Sequence, residues 1–207
     1  AQQYVAAPFA VESDWSGASY WYSMVALSPF VDSSLELLGL KEDSLQGDSA
    51  IKAMMEPLGV KSTYTGRGYL LTKIPAQTSL AWDFTDCPDL AQTICVIAAV
   101  KNISLTLTGL ESLKVKETDR VVALQNELKK LGATLTEKEA NHLYEVKGDF
   151  AAVSTIDPIE TYDDHRMAMA FAPVAMQKKI TLLDPMVVNK SYPSFWKHIS
   201  LILKSNL

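Results

Sequence analysis

An internal repeat with a period near seventy residues constrains the fold of this 207-residue chain more than any other feature. The Gly39–Leu40 and Gly109–Leu110 pairs lie one period apart. Three units, at about residues 5–75, 78–150 and 152–207, share one order of predicted elements: an extended stretch, a helix rich in small residues, a strand and a second helix. The first two units also close with a hairpin. This order favours a closed lobe of three similar units over a solenoid.

The first helix of each unit has an unusual composition. Ala, Ser, Cys, Met and Val lie on nearly all sides of the helices predicted at Asp14–Leu27, Pro88–Val100 and Asp163–Met176. A helix without a polar face is typical of the centre of a protein. We therefore expect these helices inside the lobe.

The second helices and the strands complete each predicted unit. In the second helix of unit two, Asp119–Gly132, apolar residues recur at helical spacing and predict one face packed on a core. Strands are predicted at Ser34–Leu40, Ile103–Leu110 and Ile180–Pro185. The fold class expected from these patterns is α/β, with buried helices, outer sheets and a pseudo-three-fold arrangement in which the third unit is incomplete.

Composition excludes several classes of protein. The chain has 19 Lys and Arg residues against 24 Asp and Glu, a formal net charge of −5, and 48% hydrophobic residues. These values are typical of a globular domain and argue against disorder and against nucleic-acid binding. The sequence contains no apolar run of about 18 residues, so no membrane span is predicted. The first residues do not resemble a signal peptide. Only Cys87 and Cys95 are present, so we expect a reducing compartment, the cytoplasm.

Charged residues cluster at the starts of three predicted helices. The clusters are Asp86–Asp89, Lys114–Arg120 and Tyr162–Arg166, and Lys190 gives a fourth point. Taken singly, an aspartate at such a position is a helix cap, and a lysine in a charge run is solvated. No Cys or His spacing in the chain suits a metal, and no phosphate-binding glycine motif is present.

The capping interpretation does not explain the cations. Arg120, His165 and Arg166 lie in first turns, where a positive charge opposes the helix dipole. Free N–H groups beside an arginine form an anion site. Convergence of the cations would create a basic pocket next to two carboxylates, and it predicts proton transfer on a phosphorylated or carboxylated metabolite. The cations are Lys116, Arg120, Arg166 and Lys190, and the carboxylates are Asp89 and Glu117.

Two of these segments resemble signatures of the 5-enolpyruvylshikimate-3-phosphate synthase (EPSP synthase) family. They are VKETDR, Val115–Arg120, and YDDHRMAM, Tyr162–Met169. Three more stretches, SDWSGASYW (Ser13–Trp21), SLQGD (Ser44–Asp48) and DPMVVNKSYP (Asp184–Pro193), are similar to family segments in the same order. The resemblance covers essentially the whole chain. The sister family of UDP-N-acetylglucosamine enolpyruvyl transferases lacks VKETDR in this form.

The resemblance implies a fold and an activity. Family members have two lobes, each built from three βαβαββ units, with the active site in the cleft between them. They transfer the enolpyruvyl group of phosphoenolpyruvate to the 5-hydroxyl of shikimate 3-phosphate, and the inhibitor glyphosate binds in the same cleft. The implied partners are these two small-molecule substrates, and no metal or organic cofactor is implied.

The resemblance also implies roles for seven residues. Asp89 resembles the base for the 5-hydroxyl proton, and Glu117 resembles the group that handles the proton at the methylene carbon of phosphoenolpyruvate. Phosphoenolpyruvate and glyphosate would be held by Arg120, Arg166 and Lys190. Shikimate 3-phosphate would be contacted by Lys116, and the pocket would be lined by His165.

The chain departs from the family in two respects. It has roughly half the family length, so it is expected to be the C-terminal lobe alone, without the N-terminal lobe that grips shikimate 3-phosphate. Such a chain is expected to be inactive by itself. Ser112 stands where many relatives carry an asparagine that touches the substrate. Two alternatives stay open: an enzyme of the UDP-N-acetylglucosamine enolpyruvyl transferase type, and a non-catalytic anion-binding domain with the same fold.

Overall fold

A computed structural model describes residues 3, 6–8 and 10–205 of the chain. Residue 5, where the first predicted repeat begins, and residues 206 and 207, where the third ends, lie outside the described residues.

The first unit contains two helices and a three-stranded antiparallel sheet. Asp14 caps the first helix, since its carboxylate accepts a 2.7 Å hydrogen bond from the Gly17 backbone N–H. Gly59, at φ 101°, ends the second helix in the left-handed conformation that glycine adopts without strain. The strand order is β1-β3-β2. The elements are α1 (Trp15–Leu27), β1 (Ser34–Leu38), α2 (Ile51–Leu58), β2 (Val60–Tyr64) and β3 (Gly68–Lys73).

The second unit shows the complete βαβαββ order. Its sheet has the order β4-β5-β7-β6, in which β4 and β5 are parallel and the other neighbours are antiparallel. Asp119 caps the second helix of the unit through a 3.0 Å bond from the Val122 N–H. The elements are β4 (Ser79–Asp83), α3 (Ala91–Val100), β5 (Ser104–Thr108), α4 (Arg120–Lys130), β6 (Ala133–Glu139) and β7 (Leu143–Gly148).

The third unit has helices but no regular sheet in the described residues. It contains α5 (His165–Phe171) and α6 (Phe195–Ser205). The strand predicted at Ile180–Pro185 is wrong, because within the described part of the chain this segment makes only a single parallel bridge, from Leu182 to Ile159. Its apolar residues satisfy the strand pattern, but among the described residues no further strand lies alongside to extend the pairing.

The small-residue helices lie at the centre, as predicted. All ten residues of α3 are buried, and α1 and α5 pack against it. The α/β fold class, with inner helices and outer sheets, is therefore confirmed. Both cysteines are buried and free, and burial raises the pKa of the Cys87 thiol to about 11. Within the described residues, no helix has both the length and the apolarity needed to cross a membrane.

Candidate active site

The starts of α4 and α5 meet through one buried ion pair. Arg120, the first residue of α4, donates from Nε to Asp164 Oδ2 at 2.6 Å. Only 1% of the Arg120 side chain and none of the Asp164 side chain is exposed. Nη2 also donates to Asp164 Oδ1 at 3.4 Å. Nη1 donates to Asp89 at 3.0 Å, and Nη2 donates to Glu117 at 2.7 Å. Arg120 thus joins three carboxylates from three segments.

Asp89 lies where the three helix starts converge. It belongs to the short 3₁₀ helix Pro88–Leu90, which leads into α3. Its Oδ1 accepts from Arg120, and its Oδ2 accepts from Nη2 of Arg166 at 2.7 Å. Nζ of Lys116 lies 3.9 Å from Oδ1. About a quarter of the Asp89 side chain is exposed, so a ligand can reach a carboxylate surrounded by three cations.

Glu117 stands at the open side of this network. Its side chain is 43% exposed, although Oε2 binds Arg120. A hydrogen bond from its own backbone lowers the pKa of Glu117, and the positive charges of Arg120 and Arg166 lower it further against the opposing effect of burial. Glu117 is therefore ionised at neutral pH in the absence of ligand.

The turn before α5 binds Arg120 through Asp164 and Lys190 through Asp163, so the predicted residue Lys190 lies outside the network of Asp89, Arg120 and Arg166. Asp164 caps α5 by accepting a 2.8 Å bond from the Arg166 N–H, so one carboxylate fixes both Arg120 and the start of α5. Lys190 reaches the same turn from the 3₁₀ helix Pro185–Lys190. Its Nζ lies 2.7 Å from Asp163 Oδ1 and 2.8 Å from the Asp163 carbonyl oxygen.

A small cavity of about 60 Å³ lies beside Arg166. Tyr20, His165 and Arg166 line it together with the first turn of α1. Burial raises the pKa of Tyr20 to about 12, although the nearby Arg166 opposes the rise. Burial and Arg166 both lower the pKa of His165, so its imidazole is neutral at pH 7. His165 thus presents a neutral ring next to the arginine.

The sequence interpretation missed Asp48 as a member of the site. The hydroxyl of Ser16, in α1, donates to its carboxylate. Burial raises the pKa of Asp48, and the negative charge of Asp89 raises it further while Arg166 lowers it. The preceding Gly47 packs so tightly on the Asp86 carbonyl that a Cβ there would lie 2.2 Å from the oxygen. The SLQGD segment carried this signal, because its glycine permits the close approach that places Asp48 near Asp89.

Charge balance at the site differs from the basic pocket expected above. The network holds three cations, Lys116, Arg120 and Arg166, and they face three carboxylates, Asp89, Glu117 and Asp164. The arginines are therefore oriented and neutralised before any ligand arrives. An anionic ligand would compete with Glu117, the most exposed of these carboxylates, for the guanidinium groups.

Comparison with known proteins identifies relatives along nearly the whole chain. The family model described as EPSP synthase (3-phosphoshikimate 1-carboxyvinyltransferase) matches residues 2–199. A 3-phosphoshikimate 1-carboxyvinyltransferase from Bacteroides fragilis is 48% identical over 197 residues, which are 94% of this chain and 47% of the relative. One from Idiomarina loihiensis is 33% identical over 201 residues, 94% of this chain and 44% of the relative. The chain spans about half the length of the curated relatives it matches.

Solved structures share the fold. An EPSP synthase from Acinetobacter baumannii superimposes with a TM-score of 0.70 at 22% identity, over 92% of this chain and 46% of that one. The enolpyruvyl transferase NikO from Streptomyces tendae gives a TM-score of 0.58 at 13% identity, over 93% of this chain and 43% of that one. At these identities the similarity establishes the fold alone.

Proposed function

Because the chain belongs to the EPSP synthase family, we propose that it supplies one half of the active site of a 3-phosphoshikimate 1-carboxyvinyltransferase. The reaction moves the enolpyruvyl group of phosphoenolpyruvate to the 5-hydroxyl of shikimate 3-phosphate and releases phosphate. The observation that carries the proposal is the Asp89 carboxylate, which accepts hydrogen bonds from both Arg120 and Arg166. This arrangement sets a proton acceptor beside groups that bind an anionic substrate.

Two carboxylates perform the proton transfers in this proposal. Asp89 accepts the proton of the 5-hydroxyl while the hydroxyl oxygen bonds to C2 of phosphoenolpyruvate, and Glu117 delivers a proton to C3. The product is a tetrahedral adduct that still carries the phosphate. In the second step Glu117 takes a proton back from C3, the C2–C3 double bond re-forms, the C–O bond to phosphate breaks, and the departing phosphate takes the proton held by Asp89. Atoms and charge balance over the two steps.

The state of Glu117 limits the order of events. Glu117 is ionised without ligand, and its pKa is lowered by a hydrogen bond from its own backbone and by the positive charge of Arg120. When the carboxylate or phosphate of phosphoenolpyruvate engages Arg120, that stabilisation weakens and Glu117 takes up a proton more readily. Substrate binding would therefore prepare the acid that the first step needs.

The cations and His165 serve to bind and orient the substrates. Arg120, Arg166 and Lys190 hold phosphoenolpyruvate, and Lys116 contacts shikimate 3-phosphate. The charge that develops in the adduct meets groups already fixed by Asp89 and Asp164, so little reorganisation is needed. Neutral His165 lines the pocket without adding a charge. The proposal needs no metal or organic cofactor.

The remaining substrate contacts lie outside this chain in the proposal. Shikimate 3-phosphate would be gripped by a second, N-terminal lobe, in agreement with relatives about twice as long as the chain. The 207-residue chain alone is expected to show no turnover, because most of the rate depends on orienting both substrates. We assign the reaction to the cytoplasm, where two free cysteines persist reduced.

A chimeric enzyme tests the proposal. This chain replaces the matching half of the Bacteroides fragilis relative, and phosphate release is measured with phosphoenolpyruvate and shikimate 3-phosphate. The expected result is turnover by the chimera, none by the chain alone, and a loss of at least about a hundredfold in kcat with Asp89→Asn. The sister activity is tested with UDP-N-acetylglucosamine in a second chimera, in which this chain replaces the matching half of a UDP-N-acetylglucosamine enolpyruvyl transferase, because the other lobe selects the acceptor.

The outcomes separate the alternatives. Two folded chimeras that are each inactive with their acceptor, or an Asp89→Asn variant that keeps full activity, would contradict the proposal and favour a non-catalytic anion-binding domain. Turnover with UDP-N-acetylglucosamine alone would assign the chain to the other class of enolpyruvyl transferase.

A further inference from the structure

The turn that directly precedes α5 has an unusual backbone conformation. Tyr162 and Asp163 both have φ of 55°, in the left-handed backbone region that residues other than glycine rarely adopt. Asp164 follows directly and makes the buried pair with Arg120. Two consecutive residues in this conformation persist only when their surroundings hold them. The structure must therefore contain a group that fixes this turn.

Glu127 is the group that faces this turn from α4. Its carboxylate is buried, with 1% of the side chain exposed. Oε2 accepts from the Glu160 N–H at 3.0 Å, and Oε1 accepts from the Tyr162 hydroxyl at 2.9 Å. Nζ of Lys130 lies 2.7 Å from Oε2 and also donates to the Pro158 carbonyl at 2.8 Å. Glu127 thus binds two residues of this turn and a lysine that also binds the segment just before it.

We infer that Glu127 is a positioning residue that fixes the Glu160–Asp163 turn so that Asp164 meets Arg120. One helix then holds the turn at both ends, since Arg120 lies in the first turn of α4 and Glu127 lies two turns later. The spacing between the two is set by the helix and cannot adjust independently. The inference deepens the proposed function and rests on it only for the identity of the ligand.

A purely structural role does not explain a glutamate here. A buried carboxylate is costly unless hydrogen bonds and a counter-charge compensate it, and an apolar side chain of similar volume would fill the same space without that cost. The compensation at Glu127 consists of the Lys130 ammonium and of directional bonds from one backbone N–H and one hydroxyl of the turn. Directional bonds of this kind select a single conformation of the turn.

Hydrogen exchange at Arg120 Nε–H tests the inference by NMR on this chain, without substrate. In Glu127→Gln the volume is kept, but an amide NH₂ replaces one acceptor. We expect exchange at Arg120 Nε–H to accelerate by roughly tenfold relative to the Ile97 backbone amide, which lies in the buried helix α3 and reports global unfolding. Gln125→Ala is the matched control, since Gln125 bonds the Leu135 carbonyl of β6 from the same helix. In Gln125→Ala the ratio of the Arg120 Nε–H exchange rate to the Ile97 amide exchange rate is expected to stay within about twofold of wild type.

Each outcome decides the inference. An unchanged ratio in Glu127→Gln, or an equal change in Gln125→Ala, would overturn it. If Glu127→Gln does not fold, Tyr162→Phe decides, because it removes only one hydroxyl and should accelerate Arg120 exchange by roughly threefold. Phosphoenolpyruvate titration of the same samples gives the second readout, with weaker affinity expected in Glu127→Gln. Failure of the wild-type chain to bind phosphoenolpyruvate would count against the proposed function and leave the exchange result intact.

Discussion

The Nε of Arg120 lies 2.6 Å from Asp164 Oδ2, and both side chains are almost completely withdrawn from solvent. This pair fixes one edge of the guanidinium between α4 and α5. Nη1 and Nη2 then face Asp89 and Glu117, the two carboxylates for which we propose proton transfer. One buried contact therefore sets the direction in which Arg120 can offer hydrogen bonds to a substrate.

Asp164→Asn is expected to destabilise the chain strongly. The substitution keeps the shape and much of the capping ability of Asp164, but it leaves the buried Arg120 charge with only its more exposed partners. Removing one member of a buried pair costs about 3 kcal/mol or more. Urea denaturation followed by circular dichroism measures the loss.

Asp163→Asn is the matched control for that measurement. Asp163 is the neighbouring residue, its side chain is 77% exposed, and its ion pair with Lys190 lies at the surface. Loss of an exposed pair is expected to cost less than about 1 kcal/mol, and asparagine tolerates the left-handed backbone at this position. Similar losses in the two variants would show that burial of the Arg120–Asp164 pair does not determine stability.

The predictable part of the fold is the part governed by local pattern. The small-residue composition of Pro88–Val100 predicts a buried helix, and all of α3 is buried. The strand predicted at Ile180–Pro185 fails because a strand needs a partner, and pairing depends on segments distant in the chain. Apolar alternation in one segment carries no information about whether such a partner is present.

The helix-start positions of the two arginines were predictable, but the charge balance around them was not. The two signature segments placed Arg120 and Arg166 at helix starts, where an arginine is unfavourable beside the helix dipole. Their pairing with Asp89 joins residues 31 and 77 positions apart, and only tertiary packing decides it. Glu127 lies within the helix predicted at Asp119–Gly132. Local pattern does not distinguish it, because the turn that it binds lies 33 residues further along the chain.

Arg166→Ala is expected to weaken binding of phosphoenolpyruvate to this chain. Arg166 donates to Asp89 at the edge of the small cavity, where its guanidinium can be shared with an anion. Loss of one charge-assisted bond corresponds to a roughly tenfold decrease in affinity. Titration calorimetry measures it, with circular dichroism to establish that the variant is folded.

Arg166 is the more informative of the two arginines for this test. Arg120→Ala also removes the partner of buried Asp164, so a loss of binding there would combine a ligand effect with misfolding. The control for Arg166→Ala is Arg67→Ala, which removes the same charge from an exposed hairpin residue. Unchanged affinity in Arg166→Ala, or an equal decrease in Arg67→Ala, would remove Arg166 from the binding site.

Glu117→Gln is expected to strengthen binding of inorganic phosphate or phosphoenolpyruvate. The ionised Glu117 carboxylate both repels an incoming anion and occupies Nη2 of Arg120. Removing a partly exposed ionic partner should improve affinity by roughly two- to fivefold, equivalent to about 0.5–1 kcal/mol. Calorimetry at pH 7 measures the change. Glu56→Gln, on α2, makes the same change in net charge and should leave affinity unaltered, whereas weaker binding by Glu117→Gln would mean that Glu117 does not compete with the ligand.

Asp48→Asn is expected to raise stability at neutral pH and to have little effect in acid. Burial raises the pKa of Asp48 in the folded chain above its unfolded value, so the folded state binds this proton more tightly. Stability attributable to Asp48 is therefore greatest at low pH and falls as the pH rises through the folded pKa, where an ionised carboxylate must remain buried. Asparagine can still accept the Ser16 hydroxyl without that charge.

Urea midpoints measured between pH 3 and pH 8 should show the stabilities of the Asp48→Asn variant and the wild type converging toward the acid end. A difference that is constant with pH would mean that Asp48 does not titrate abnormally, and a variant less stable at pH 7 would mean that its negative charge stabilises the lobe.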